Sequence, residues 1–396
     1  MSATPFGATV REFRERSGPR FVRIDVLLLL AVLGLTVCSL YTIATATQDD
    51  HPGSPNYFLY RQAAYAAAGI CLMLLISRLD YSRLRDWKAG IYTFLIASIL
   101  LVFALGSVSR GSRRAIELPF FEIQTSELGK VLLILALSAV VVDRVRRIGD
   151  RETTSRAMLL ALIPAMLVIA QPDLGSGLVY ISIALVILFV AGTKWTHFAV
   201  LGTLAVTAAA IVLIAAPAVG IEVLKPYQMD RLTAFVNPAE DPREEGYQQQ
   251  QSKVAIGAGG KTGRGDDATQ TKLDFLPEHH TDFIFSVVGE EFGFMGAALV
   301  LSLFALLIWR SLRILTMSKD LFGTLIAAGV LAMLMHQIFI NVGMTIGIMP
   351  ITGVTLPLMS YGGSSVLVTF IALGLLQSVH AQARETSFAK GQGLAI

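Results

Sequence analysis

The chain has 396 residues, of which 54% are hydrophobic and only 15% are charged, with a formal net charge of +3 and a mean hydropathy of +0.62. A soluble chain of this length would fold as two or three domains with far more surface charge, whereas here the apolar residues form blocks near the roughly 20 residues that cross a bilayer. The composition therefore predicts an all-α polytopic membrane protein and indicates no nucleic-acid partner.

Ten apolar windows follow one another and predict about ten transmembrane helices. The windows are 24–46, 59–77, 89–106, 126–143, 157–171, 175–192, 196–218, 283–309, 321–345 and 357–379. The chain then divides into a basic N-terminus (1–23), helices one to seven (24–218), a large polar loop (219–282), helices eight to ten (283–379) and a tail (380–396).

The basic residues alternate between the loops and predict an orientation. Short cytoplasmic loops are enriched in lysine and arginine. The N-terminus, the loops 78–88, 144–156 and 310–319, and the tail carry most of these residues and fall on one side of the predicted bundle. Both termini are therefore predicted to be cytoplasmic and the 219–282 loop to be extracytoplasmic.

One short outer loop breaks this rule, because Arg110, Arg113 and Arg114 lie between the third and fourth windows. Guanidinium groups pair with phosphate oxygens in a bidentate fork, so a phosphate or pyrophosphate at the membrane surface would suit them. Contact with lipid headgroups or with an acidic side chain such as Glu117 explains them equally well.

Charged residues inside the windows are costly and each suggests a function or a pair. Glu127 and Lys130 are three residues apart, which predicts an ion pair on one helix face. Asp173 lies between the fifth and sixth windows, where a helix cap and a ligand contact both fit. Glu290 and Glu291 point to different helix faces, so one would line a cavity and the other would brace a neighbouring helix.

Two amides in the ninth window, Gln337 and Asn341, are four residues apart. This spacing stacks them on one face of a helix. They are expected to satisfy one another or a carboxylate rather than to bind a metal.

The stretch 273–296 joins the polar loop to the eighth window and reads LDFLPEHHTDFIFSVVGEEFGFMG. Asp282 lies at this junction, where a carboxylate is carried to the membrane surface. A carboxylate at a helix N-terminus is stabilised by the macrodipole and the unpaired amides, so a helix cap is one interpretation. A catalytic group is the other, and position alone does not separate them.

A metal site must also be considered, because Asp274, Glu278, His279, His280 and Asp282 are all metal-ligand types. Their spacing does not fit a compact metal motif, so no structural metal is predicted. A loosely bound divalent cation, Mg²⁺ or Mn²⁺, that bridges a pyrophosphate stays open as an alternative, and no other cofactor is indicated.

Several of these stretches resemble the SEDS family (shape, elongation, division and sporulation), which includes RodA and FtsW. The similarity covers nearly the whole chain and is strongest at 273–293 and at Met349–Ser365, which reads MPITGVTLPLMSYGGSS. Further matches lie at Phe120–Lys130 and Gln171–Gly177. Ile351-Thr352-Gly353 is similar to the RodA branch, since FtsW sequences tend to carry a lysine just before the glycine.

The resemblance implies a peptidoglycan glycosyltransferase of the bacterial inner (plasma) membrane. Such proteins polymerise lipid II, an undecaprenyl-linked disaccharide, beside a class B penicillin-binding protein, which is a transpeptidase. The resemblance also implies that Asp282 is the essential aspartate and general base. The candidate substrate-binding residues are Arg110, Arg113, Arg114, Glu127, Lys130, Asp173, Asp274, His280, Glu290, Ser360 and Ser364.

The chain departs from the family at Ala115, where members often carry tryptophan after two arginines. Three alternatives to an elongation polymerase stay open, namely a division polymerase similar to FtsW, a lipid II flippase and a scaffold that recruits a penicillin-binding protein. A flippase would concentrate its ionisable groups near the bilayer midplane, whereas the densest cluster here is predicted at the outer surface.

Overall fold

The structure is a computed structural model that describes residues 24–48, 54–105, 107–109, 112–118, 121–218, 229, 235, 245–272, 275–276 and 278–393. Most of the chain is helical. The helices are α1 (Val26–Ala46), α2 (Tyr57–Ser77), α3 (Lys88–Leu105), α4 (Thr125–Asp143), α5 (Arg151–Ala170), α6 (Leu174–Val190), α7 (Trp195–Ala210, followed by a π-helical turn at Ile211–Ala215), α8 (Glu245–Gly259), α9 (Thr269–Lys272), α10 (Ile284–Met317), α11 (Leu321–Ile346) and α12 (Gly363–Gly393).

Ten apolar helices lie at the ten predicted positions. Within the described part of the chain, eight of them are long and apolar enough to cross a membrane, and α3 and α6 are shorter. The all-α polytopic fold is therefore confirmed. The exact count of ten spans and the position of the large loop stay predictions, since most of 219–244 lies outside the described residues.

A small sheet, absent from the sequence prediction, lies between α3 and α4. Its strands are β1 (Ser107–Ser109), β2 (Ser112–Leu118) and β3 (Phe121–Gln124), and they pair antiparallel in the order β1-β2-β3. Strands of three to seven residues leave too little alternation for a period to be recognised. The sheet leads directly into α4 and therefore fixes how that helix begins.

The main core lies among α4, α6, α11 and α12, whose apolar side chains are buried against one another. Gly129 of α4 makes the close approach of α6 possible, because a Cβ there would lie 1.9 Å from the Tyr180 hydroxyl oxygen. That hydroxyl donates to the Ser126 carbonyl at 3.0 Å. By contrast, α7 buries no residue of its apolar window within the described part of the chain.

Helix α10 is broken near its start, at Gly293, where φ is 64° and ψ is −158°. The loop 260–264 supplies the backbone partners that the break frees. Phe294 N donates to the Gly260 carbonyl at 3.0 Å, and Arg264 N donates to the Glu290 carbonyl at 2.9 Å. Irregular backbone at membrane depth is tolerated when the protein itself satisfies its polar groups in this way.

A buried clamp joins α1, α10 and α12 at the end of the bundle opposite the break at Gly293. The Asp25 carboxylate accepts from Leu28 N at 2.9 Å and from Arg310 Nε at 3.1 Å. Gln377 accepts from Asp25 N at 2.8 Å and donates to the Asp25 carbonyl at 3.1 Å. The sequence prediction ended the eighth span at residue 309 and placed Arg310 in a loop. In the structure, α10 instead continues to Met317, because residues 310–317 form an amphipathic extension of the helix.

The clamp gives a stability prediction. Arg310→Met leaves the buried Asp25 carboxylate without its cation, and breaking a buried pair in this way costs about 3–5 kcal/mol. We expect a clear fall in the Tm of the protein in detergent. Arg313→Met is the matched control, since Arg313 lies on the same helix but is exposed. Equal losses in the two variants would contradict the clamp.

Candidate active site

Asp282 lies just before α10, at the point where the outer loop enters the bundle. Phe283 occupies the N-cap of α10, so Asp282 precedes the cap by one residue. Its side chain is half-buried. Asp282 therefore does not occupy the N-cap position that the helix-cap interpretation of the sequence predicted.

The backbone that carries Asp282 is held from α11 and from the segment before α12. Three consecutive carbonyls each accept a hydrogen bond from these elements. The carbonyls of His280, Thr281 and Asp282 accept in that order from Tyr361 N at 2.9 Å, Ser360 Oγ at 2.5 Å and Asn341 Nδ2 at 2.8 Å. Hydrogen bonds at three successive residues fix the backbone from which the carboxylate extends.

The segment 349–362 forms one wall beside this carboxylate. Asn341 Nδ2 also donates to the Val354 carbonyl at 2.8 Å, so one amide joins the segment to the Asp282 backbone. Gly353 has a φ of +69°, and a Cβ there would lie 3.5 Å from Asp282 Oδ2. Asn341 was expected to satisfy Gln337 or a carboxylate. It instead binds two backbone carbonyls, because the loop that carries Asp282 and the 349–362 segment converge on it.

His280 lies in an aromatic cluster beside Asp282. Its ring centroid is 4.8 Å from that of Phe58 and 5.7 Å from that of Tyr361. Arg61 of α2 borders the same cluster. Its Nη1 donates to the Tyr57 hydroxyl at 2.5 Å, and the Tyr57 ring packs edge-on against that of Phe58 at a centroid distance of 5.3 Å.

Arg61 is a residue that the sequence analysis missed. A charge inside the second apolar window was a signal that could have found it, because such charges are rare and usually functional. Arg61 is half-buried at the end of α2 that faces the Asp282 loop. The Arg61 guanidinium thus lies at the site although Arg61 is 219 positions before His280 in the sequence.

A second polar cluster lies at the start of α4. The predicted ion pair is confirmed, since Lys130 Nζ lies 2.5 Å from Glu127 Oε1 with both side chains buried. Asp173 caps α6 by accepting from Ser176 N at 3.0 Å, and it also accepts from Ser126 Oγ at 3.0 Å. The cap interpretation of Asp173 is therefore confirmed.

Ser364 connects this second cluster to the start of α12. Its hydroxyl accepts from Gln124 N at 3.0 Å and donates to the Glu122 carbonyl. Ser364 thus ties β3 to α12, while Ser360 holds the Asp282 loop. Their roles in substrate binding stay predictions.

Glu290 and Glu291 both brace neighbouring segments. Glu290 is fully buried and accepts from Gln270 N at 2.8 Å and from the Thr271 amide and hydroxyl at 3.0 and 2.7 Å. Glu291 accepts from Thr45 Oγ1 of α1 at 2.5 Å. These contacts anchor the outer loop and α1 to α10, and a contact of Glu290 with substrate stays a prediction.

The remaining candidates are described in part or not at all. Arg110 and Asp274 lie outside the described residues, and of Arg113 and Arg114 only the backbone in β2 is described. Among the described residues, no group of three or more histidine, cysteine, aspartate or glutamate side chains could hold a metal ion. The loosely bound divalent cation stays a prediction.

The bundle and its site define a multi-pass membrane protein with a rigidly held carboxylate at a helix entrance. The chain belongs to the FtsW/RodA/SpoVE family of cell cycle proteins, whose profile matches residues 22–385. It is 38% identical over 400 residues to a probable peptidoglycan glycosyltransferase FtsW of Thioalkalivibrio sulfidiphilus, which covers 98% of this chain and 96% of the relative.

Two further comparisons agree with this family. The chain is 34% identical over 369 residues to the peptidoglycan glycosyltransferase MrdB of Escherichia coli K12, covering 92% of this chain and 96% of the relative. It also matches a chain from a solved structure that describes the coordination of polymerization and crosslinking by a peptidoglycan synthase complex. That match has a TM-score of 0.76 at 33% identity and covers 90% of this chain and 97% of the other.

The Asn341 contacts give a prediction that needs no substrate. Asn341→Ala frees the carbonyls of Asp282 and Val354, and each buried group left unsatisfied costs about 1–3 kcal/mol. We expect faster amide hydrogen exchange in 278–285, measured by mass spectrometry. Gln337→Ala is the control, because Gln337 is equally buried one turn earlier and makes no hydrogen bond to 278–285 within the described chain. Equal exchange in both variants would contradict the positioning role.

Proposed function

We propose that this protein is a peptidoglycan glycosyltransferase that polymerises lipid II, with Asp282 as its general base. The observation that carries the proposal is the fixed position of Asp282, whose backbone and two preceding residues are each hydrogen-bonded. Support comes from relatives named peptidoglycan glycosyltransferases at 34–38% identity over nearly the whole chain.

The chemistry needs a base for the acceptor and positive charge for the leaving group. Asp282 removes the proton from the 4-hydroxyl of the GlcNAc unit of one lipid II. That oxygen then attacks the anomeric carbon of the MurNAc unit of the other substrate and inverts its configuration. The bond from this carbon to the pyrophosphate oxygen breaks, and the undecaprenyl pyrophosphate leaves with the electron pair.

The cations at this face would stabilise the leaving pyrophosphate. Lys130 is buried and already paired with Glu127, which favours a structural role for it. Arg61 is better placed, since it is half-buried and binds Tyr57, whose ring packs on Phe58 of the His280 cluster. Arg110, Arg113 and Arg114 would supply further charge from the outer loop.

The cellular role and partner also belong to this proposal. A class B penicillin-binding protein would crosslink the strands made here, which fits the similarity to a chain of a peptidoglycan synthase complex. Relatives named FtsW and MrdB match this chain at 38% and 34% identity, so the comparisons do not decide between a role in division and a role in elongation. Ile351-Thr352-Gly353 favours the elongation branch. In this proposal both termini are cytoplasmic and Asp282 faces the outside.

Replacement of the base is the direct test. Asp282→Asn keeps the size of the side chain but cannot accept the proton, so polymerisation of labelled lipid II should fall about 10²–10⁴-fold. The assay uses the purified full chain with and without a class B partner. Asp86→Asn, at the opposite end of the bundle and exposed, is the control and should keep full activity.

Two results would overturn the proposal at different points. Near wild-type polymerisation by folded Asp282→Asn would remove the base assignment but leave the glycosyltransferase. No polymerisation by the wild type, together with lipid II translocation in vesicles, would replace the polymerase with a flippase.

The role of Arg61 has its own test. Arg61→Gln removes the charge, and a lost charged hydrogen bond costs about 1.5–3 kcal/mol, so polymerisation should slow about 10- to 150-fold. Arg61→Lys should recover part of the rate, since it keeps the charge but not the planar fork. If both variants polymerised equally well at the wild-type rate, Arg61 would have no part in leaving-group stabilisation.

A further inference from the structure

We propose that a basic surface at the end of the bundle opposite Asp282 is a binding site for the headgroup of an anionic phospholipid. The surface comprises the turn between α4 and α5 and the start of α7, and we call it the basic turn surface. Its cations are Arg144, Arg146, Arg147, Arg151 and Lys194. Helix α4 has 19 residues, which at 1.5 Å per residue puts this surface about 28 Å from the β3 end of the helix.

The charges of the basic turn surface are not neutralised by neighbouring acids. Within the described chain, none of the five cations has an ion pair or a side-chain hydrogen bond, and all except Arg144 are exposed. The nearby acids are mostly occupied. Asp143 pairs with Arg85 and Lys88, and Glu152 pairs with Arg156, which leaves Asp150 as the remaining acid of the turn.

The surface is held rigid before a ligand binds. Arg147 N donates to the Arg144 carbonyl at 2.8 Å, and Asp150 N donates to the Arg147 carbonyl at 2.9 Å. The Lys194 side chain packs over Gly149, because a Cβ on that glycine would lie 3.1 Å from Lys194 Cε and 3.5 Å from its Nζ. The two segments therefore present their cations together, which lowers the entropy lost on binding.

A hydrogen bond also ties the two segments of the basic turn surface. Thr154 Oγ1 lies 2.7 Å from His197 Nδ1 and so joins α5 to α7. Because α7 buries no residue of its apolar window within the described chain, this contact fixes its first turn on the bundle. Lys194 is thereby held against Gly149 of the turn that carries the arginines.

The neighbouring tryptophan indicates a lipid as the ligand. Trp195 is 74% exposed and follows Lys194 directly, and its ring packs on Phe189 and Phe198 at centroid distances of 5.9 and 5.8 Å. Tryptophan is enriched in membrane proteins at the depth of the lipid headgroups. The cations beside it therefore lie at the depth of lipid phosphates, which arginine binds as a bidentate fork.

The experiment compares binding of phosphatidylglycerol and phosphatidylcholine to the purified full chain by native mass spectrometry. The triple variant Arg146→Gln, Arg147→Gln, Lys194→Gln removes three exposed cations. Each basic residue near an anionic lipid contributes about 1 kcal/mol, so its affinity for phosphatidylglycerol should fall by at least about tenfold. Phosphatidylcholine binding should not change.

The matched control removes three exposed cations elsewhere on the same end, as Arg78→Gln, Arg83→Gln, Arg313→Gln. It should bind phosphatidylglycerol as the wild type does, and all variants should keep the wild-type Tm because the changed side chains are exposed. Equal losses in both triple variants, or wild-type affinity in the first, would overturn the proposal. Displacement of the lipid by millimolar inorganic phosphate would also overturn it, because the site would then recognise a free anion.

Discussion

The structure depends on the convergence of α11 and the 349–362 segment on the loop that carries Asp282. A single amide, Asn341, binds the carbonyls of both Asp282 and Val354. Ser360 and Tyr361 add the next two bonds along the loop. A catalytic carboxylate must be held where its substrate will lie, and these contacts come from elements already packed in the core. The site therefore takes its precision from the bundle rather than from the outer loop.

Several buried charged groups of this protein are paired within the chain. Water is absent from a bilayer interior, so each charge or amide placed there needs a partner within the protein. Glu290 receives three hydrogen bonds, Lys130 pairs with Glu127, and Asp25 is clamped by Arg310. Each of these partnerships joins different parts of the chain or fixes a helix end. They hold the helices in one arrangement around the site.

The break in α10 connects the outer loop to this arrangement. The loop 260–264 completes the backbone of α10 at Gly293, and Glu290 anchors α9 from the same turn. The part of the loop next to the bundle is thus attached to the helix that follows Asp282.

The sequence by itself determined the ten apolar segments, the Glu127–Lys130 pair and the family, because each follows from residues close together in the chain, whereas the structure decided that Asp173 caps α6. Only the tertiary structure showed that Asn341 and Ser360 hold the Asp282 loop from 59 and 79 positions away, and that Arg61 borders it. It also revealed the β-sheet and the Asp25 clamp. Local periodicity indicates which face of a helix is buried, but it does not indicate which distant backbone carbonyl a side chain will contact.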